Sequence, residues 1–169
     1  MKKKIGIFTV IWFLLMGLAG CGSEKKAENT VTVSIRCDTA VEKGLCEEEK
    51  WKGVLPEDGC IFPETEIVTA NGETVFDVLC RIRDEYGIHM EYSGGKDSAY
   101  IEGIGNLYER DGGRWSGWMY SVNGTYPGVT CSEYELQDQD RVEWNYTCDL
   151  GMDLKSDMEG SKEWKETHE

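Results

Sequence analysis

Cysteine is the residue type in this chain best placed to do chemistry, with seven copies in 169 residues. Cys21 stands apart, directly after Leu18-Ala19-Gly20. The other six, Cys37, Cys46, Cys60, Cys80, Cys131 and Cys148, form an even set in which no two share the close spacing of a zinc knuckle. The two histidines, His89 and His168, are too few and too far apart to complete a metal site. Disulfide formation is therefore the expected chemistry for a chain exported to an oxidising compartment. Sequence alone does not separate the connectivities open to six thiols. Cys46 and Cys60 bracket a polar, turn-rich stretch that a bridge would staple. Cys37 and Cys148 close two strands of matched pattern, which leaves Cys80 for Cys131.

Catalysis finds no such support in the residues. Asp138 and Asp140 have the spacing of a turn, which says nothing of a shared pocket. Ser116 and Ser121 lack a recognisable histidine partner, and His89 falls in an alternating stretch where an imidazole faces solvent. Glu47-Glu48-Glu49 reads as a solvated charge run. Ser93-Gly94-Gly95-Lys96-Asp97-Ser98 has the composition of a phosphate-cradling loop, but such a loop needs a helix N-terminus behind it. Ala99 to Gly105, interrupted by Gly103, is a poor helix former, so a polar turn is expected there. The chain is read as no enzyme, with no catalytic residue, metal or cofactor.

The start of the chain says where it is sent. Lys2, Lys3 and Lys4 precede an apolar run from Ile5 to Gly17 that is short for a spanning helix, the pattern of a secretion leader. Leu18-Ala19-Gly20-Cys21 resembles a bacterial lipobox. That resemblance implies cleavage before Cys21, diacylglycerol and palmitate-type acylation of its thiol, and anchoring on the outer, extracytoplasmic face of the cell membrane. At about 0.8 kcal/mol per buried methylene, two acyl chains hold stably where one holds marginally. Residues 1–20 are then the signal peptide, 21–30 a tether, 31–151 one folded domain and 152–169 an acidic tail. That tail has too few apolar groups to fold alone and is read as disordered, although a short terminal helix fits it. Three of the 18 basic residues leave with the leader, so 15 face 32 acidic ones, a balance that disfavours nucleic acid and anionic lipid as partners.

Within the domain, Val31, Val33, Ile35 and Cys37 alternate with polar residues, as do Val142, Trp144, Tyr146 and Cys148 near its end. Each is the period of a half-buried strand. Val41 to Thr65 reads as a long loop. Thr74 with Asp77 opens a helix on which Val75, Val78, Leu79, Ile82 and Tyr86 recur at helical spacing, and Gly87 closes it. Further strands are read at Ile88 to Tyr92, Ser98 to Ile101 and Trp118 to Val122, with a short piece at Tyr134 to Leu136. One main helix and about five strands, without strand and helix alternating, predict an α+β fold: a small mixed β-sheet packed by that helix, β-grasp-like.

Aromatic residues crowd the second half of the chain. Trp144 and Tyr146 belong to the apolar face of the last strand, where burial is the expectation. Trp115 and Tyr126 fall in Gly-rich loops, where an aromatic side chain more often meets a ligand or partner.

Ser98-Ala99-Tyr100-Ile101-Glu102-Gly103-Ile104, Gly117-Trp118-Met119-Tyr120-Ser121-Val122-Asn123-Gly124, Tyr134-Glu135-Leu136 and Val142-Glu143-Trp144-Asn145-Tyr146 together resemble the transcobalamin-like C-terminal domain family, known in bacteria largely as lipoproteins of unassigned function. The resemblance runs from about Val31 to Gly151. Family members usually carry a Gly-Asp turn before the last strand, and here it is Gln139-Asp140. In vertebrate cobalamin carriers the related domain covers one face of the corrin ring, beside a large helical domain that this chain lacks. By position, Trp118, Met119 and Tyr120 match the segment that approaches the vitamin, and Tyr100 starts another matching segment.

The resulting expectation is a non-catalytic, lipid-anchored surface module that binds a small ligand through Tyr100, Trp115, Trp118, Met119, Tyr120 and Tyr126. A corrinoid or cobamide is the candidate ligand, captured for a membrane importer of the energy-coupling-factor type. The alternative expectation is a module that presents the same loops to a surface protein or a glycan.

Overall fold

The computed structural model of the protein describes residues 28–156 and 161–168. The leader, Cys21 and most of the expected tether lie outside the described residues. Alternation produces the strands that frame the molecule. On β1 (Glu28–Arg36) Val31, Val33 and Ile35 turn inward, and on β7 (Arg141–Thr147) Val142, Trp144 and Tyr146 do the same. These two strands pair in parallel, Val33 opposite Val142 and Ile35 opposite Trp144, at the centre of a four-stranded sheet. β2 (Cys60–Ala70) runs antiparallel on the outer side of β1, and β6 (Gly117–Val122) antiparallel on the outer side of β7. The sheet order is β2-β1-β7-β6.

The helix packs where its apolar stripe requires. Before α2 (Val75–Tyr86) the Thr74 hydroxyl accepts from Asp77 N at 3.1 Å, and the Asp77 carboxylate accepts from Thr74 N at 3.0 Å. This reciprocal cap satisfies donors that the first turn would otherwise leave bare. Val75, Phe76, Val78, Leu79 and Ile82 are buried in one core with the inward residues of the sheet. Gly87 ends the helix at φ 68°, a conformation that favours glycine. Tyr86 projects outward and meets the Phe62 ring edge to face at 4.8 Å.

A second, three-stranded antiparallel sheet completes the core. It consists of β3 (Met90–Ser93), β4 (Tyr100–Ile104) and β5 (Leu107–Tyr108), in that order, and contributes Met90, Ile101, Ile104 and Leu107. The class is α+β, as read from the sequence, with two sheets where one was expected. The long loop is shorter than expected because β2 begins at Cys60. As an edge strand β2 accommodates Pro63 and exposed Glu64 and Glu66, which disguise it as a loop in the sequence. A short helix, α1 (Asp38–Glu42), follows β1 directly, and the tail carries a further helix, α3 (Ser161–His168).

The six described cysteines expected to pair, Cys37, Cys46, Cys60, Cys80, Cys131 and Cys148, are all free thiols in the structure. A core extending from Val31 to Tyr146, with two hydrogen-bonded sheets around it, holds this arrangement together.

The core predicts its own sensitivity. Leu79→Ala, at a site 2% exposed, should cost about 3 kcal/mol of unfolding free energy through lost burial and the cavity left behind. Val68→Ala, on the outer face at 55% exposed, should stay within about 0.5 kcal/mol. Urea unfolding of the two variants checks this contrast, and equal costs would refute the placement of the core.

Candidate functional site

Two adjacent residues of β7 organise a cleft on the surface. Because side chains alternate along a strand, Tyr146 points into the core and Thr147 to the opposite face. The Tyr146 hydroxyl accepts from Gly112 N at 2.9 Å, donates to Tyr108 O at 2.7 Å and lies 2.8 Å from Ser116 Oγ. Ser116 Oγ donates in turn to Gly113 O at 2.9 Å. These bonds fold residues 108–116 into a fixed loop that carries Arg114 and Trp115. On the other face, Thr147 Oγ1 accepts from Asp149 N at 3.0 Å and Gly151 N at 2.7 Å and donates to the Asp153 carboxylate. Asp153 also accepts from Cys148 N at 2.7 Å. Residues 148–153 thereby form a tight turn.

Between this turn, the 113–115 loop and α1 lies an open cleft of about 540 Å³, within the range that small ligands occupy. Thr39, Glu42, Lys43, Trp115, Cys148 and Asp149 line it, together with Lys165 of α3. Lys43 Nζ donates to Gly112 O, which ties α1 to the loop, and Lys165 pairs with Asp149. The Arg114 guanidinium stands 4.6 Å over the Trp115 ring, a cation–π contact. Trp115 O accepts from Leu150 N at 2.9 Å, which joins the loop to the turn. Burial pushes the Cys148 thiol up in pKa, opposed by Thr39 and Lys43, so the protonated thiol is favoured. Among the described residues no group of three His, Cys, Asp or Glu side chains is arranged to hold a metal.

The six aromatic and thioether residues singled out in the sequence divide into separate places. Trp118 and Tyr120 face the core. Trp118 donates from Nε1 to Leu107 O at 2.8 Å and meets Tyr146 edge to face at 5.3 Å, while the Tyr120 hydroxyl donates to Val129 O at 2.8 Å. Tyr100 lies on β4 with its hydroxyl bonded to Glu109 at 2.6 Å. Trp115 and Met119 both meet the 148–153 turn, Trp115 through its backbone carbonyl and Met119 through its side chain, and Tyr126 lies beside Asn145 of β7. Met119 projects from the outer face of β6 onto Gly151. Sequence reasoning missed Tyr146 and Thr147 as organisers of the cleft. Their signal was their position at the end of the clearest strand, where alternation sends neighbouring hydroxyls to opposite faces.

Tyr146 carries a pH signature. Burial raises its phenol from an ordinary value of 10.0 to about 12, outweighing hydrogen bonds that favour the ionised form. Since the folded value lies above the unfolded one, this stabilisation is whole below pH 10 and is lost as pH rises from 10 towards 12. Tyr146→Phe should cost about 1 kcal/mol at neutral pH through loss of the hydroxyl's hydrogen bonds, since Gly112 N keeps Ser116 Oγ and Tyr108 O keeps Asp111 N as partners. It should also flatten the alkaline decline by up to about 1.4 kcal/mol per pH unit. Tyr100, raised to about 12 by burial and its bond to Glu109, keeps part of the residual slope, together with the other phenols and the thiols that burial raises. Chemical unfolding from pH 7 to pH 12 measures both, and an unchanged slope in the variant would refute the role of Tyr146.

A family model described as Domain of unknown function (DUF4430) matches residues 72–148. No curated protein matches the chain. Among solved structures, haptocorrin in complex with Cbi is similar at 14% identity with a TM-score of 0.51, over 72% of this chain and 25% of that one. The chain thus corresponds to about a quarter of the length of haptocorrin, and the two share a fold over that stretch. A candidate metal binding protein from Ruminococcus gnavus ATCC 29149 aligns at 12% identity with a TM-score of 0.41, over 70% of this chain and 96% of that one.

Proposed function

We propose that the chain is a non-catalytic binding module of transcobalamin-like, β-grasp-like fold, moored by an acylated Cys21 to the outer face of the cell membrane. It captures a small ligand, a corrinoid in the first instance, and passes it to a membrane importer. The observation that carries this reading is the placement of Trp115 in a ligand-sized cleft beside one rigid turn, with Met119 packed on the other side of that turn. Broad apolar and aromatic side chains on a fixed backbone suit a large, partly apolar ring system, and the polar groups of the cleft suit its amide side chains. The fold likeness to haptocorrin, a protein solved in complex with Cbi, supports the choice of ligand class. The sheet order, with a parallel central pair and a helix after the second strand, supports the grasp-like description.

Titration calorimetry with cyanocobalamin tests the ligand. Heat with a stoichiometry near one is expected, and Trp115→Ala should weaken affinity about tenfold, equivalent to about 1.4 kcal/mol. Absence of heat up to about 1 mM ligand would overturn the corrinoid reading. In that case a stable crosslinked neighbour in intact cells would favour a protein-binding module.

The anchor is tested separately. Cells fed labelled palmitate should label the wild-type chain and leave Cys21→Ala unlabelled. Label on the variant, or none on either, removes the anchor from this reading.

A further inference from the structure

Two of the six thiols stand together at the start of α2, away from the cleft. The Cys131 carbonyl accepts from Phe76 N at 2.9 Å, and the Tyr134 carbonyl accepts from Val75 N at 3.0 Å. Leu136 N donates to Glu73 O at 2.9 Å, so residues 131–136 are strapped beneath the first turn of the helix. Cys80 lies four residues beyond Phe76, one turn up on the same face. Side chains on a helix lean towards its N-terminus, which directs Cys80 down onto the turn that Cys131 touches. Both residues pack on the core, Cys131 buried and Cys80 half-buried. The hydrogen-bond partner of Cys131 Sγ is Ala99 O at 3.6 Å, a weak contact that a covalent bond would readily replace.

We propose that Cys80 and Cys131 form a disulfide site that clasps α2 to the 131–136 segment, closed by exchange with a small-molecule or protein disulfide. Cys80 is the more accessible and reacts first. Its thiolate attacks one sulfur of the oxidant, forms a mixed disulfide and releases one thiolate. The Cys131 thiolate then attacks the Cys80 sulfur and expels the second. The two cysteines give up two protons and two electrons, and the oxidant is reduced to two thiols. Burial pushes Cys80 up and Cys131 up to about 11, Cys131 being raised further by the charge of Cys80, so closure accelerates as pH rises. The bridge closes a long loop and acts by restricting the unfolded chain.

The test uses the full chain, reduced, desalted and then incubated with oxidised glutathione, alkylated, and digested without reduction. Mass mapping should find a peptide pair joined through Cys80 and Cys131. The melting temperature should rise by roughly 10 °C over the same protein in dithiothreitol. Cys80→Ser should lose that rise and match the wild type in dithiothreitol, which separates the bridge from any packing role of the side chain. Alkylation of both Cys80 and Cys131 after oxidation, or their linkage to other cysteines, would overturn the proposal. So would an equal rise in Cys80→Ser. Should the variant fail to fold, mapping on the wild type alone decides.

Discussion

The parallel pairing of β1 with β7 is the constraint from which the rest of the architecture follows. Parallel strands cannot be joined by a tight turn, so everything between Arg36 and Arg141 must serve as their connection. β2, α2 and the second sheet are all housed in that connection. The pairing also places the C-terminal ends of both strands at one end of the sheet. α1 leaves from one and the 148–153 turn from the other. β6, antiparallel to β7, begins at that same end with Gly117 opposite Thr147. Three chain segments therefore diverge from one edge, and the cleft is the space left between them. A contact between residues more than a hundred positions apart also makes closure of the central pair a late event, since the loop entropy must be met before the pairing rewards it.

Much of this frame was legible because burial leaves a period in the sequence. Val31, Val33 and Ile35 on β1 and Val142, Trp144 and Tyr146 on β7 show the two-residue repeat of strands with one covered face. α2 was legible from both its stripe and its cap. β2 was not, because an edge strand needs no continuous apolar face, and Pro63, Glu64 and Glu66 break its pattern. β5 is two residues long, too short for any period to develop. The site was legible only in part. Trp115 and Tyr126 were marked by their glycine-rich surroundings, whereas the inward turn of Trp118 depends on its register opposite Tyr146. Register is a long-range property that local spacing does not carry.

Tyr146 and Thr147 explain how a shallow surface is made rigid without a metal or a bridge. Each hydroxyl replaces several water contacts with bonds to backbone groups of the loops. Thr39 adds a third tie by donating from its hydroxyl to Tyr146 O, which pins α1 to the same strand. All three walls of the cleft are thereby referenced to two consecutive residues of one central strand. Small loops held this way lose their freedom on folding, and a ligand that meets them has less ordering left to impose.

The 148–153 turn binds the cleft to the outer face of the sheet through a close steric fit. Gly151 stands at φ 83°, and a Cβ there would meet the ends of the Met119 and Ser156 side chains. Glycine is favoured there by the backbone conformation. Met119 thus holds the turn from the outer face while Trp115 holds it from the cleft through Leu150 N. The turn is thereby held from both sides, by a backbone hydrogen bond on the cleft side and by side-chain packing on the outer one.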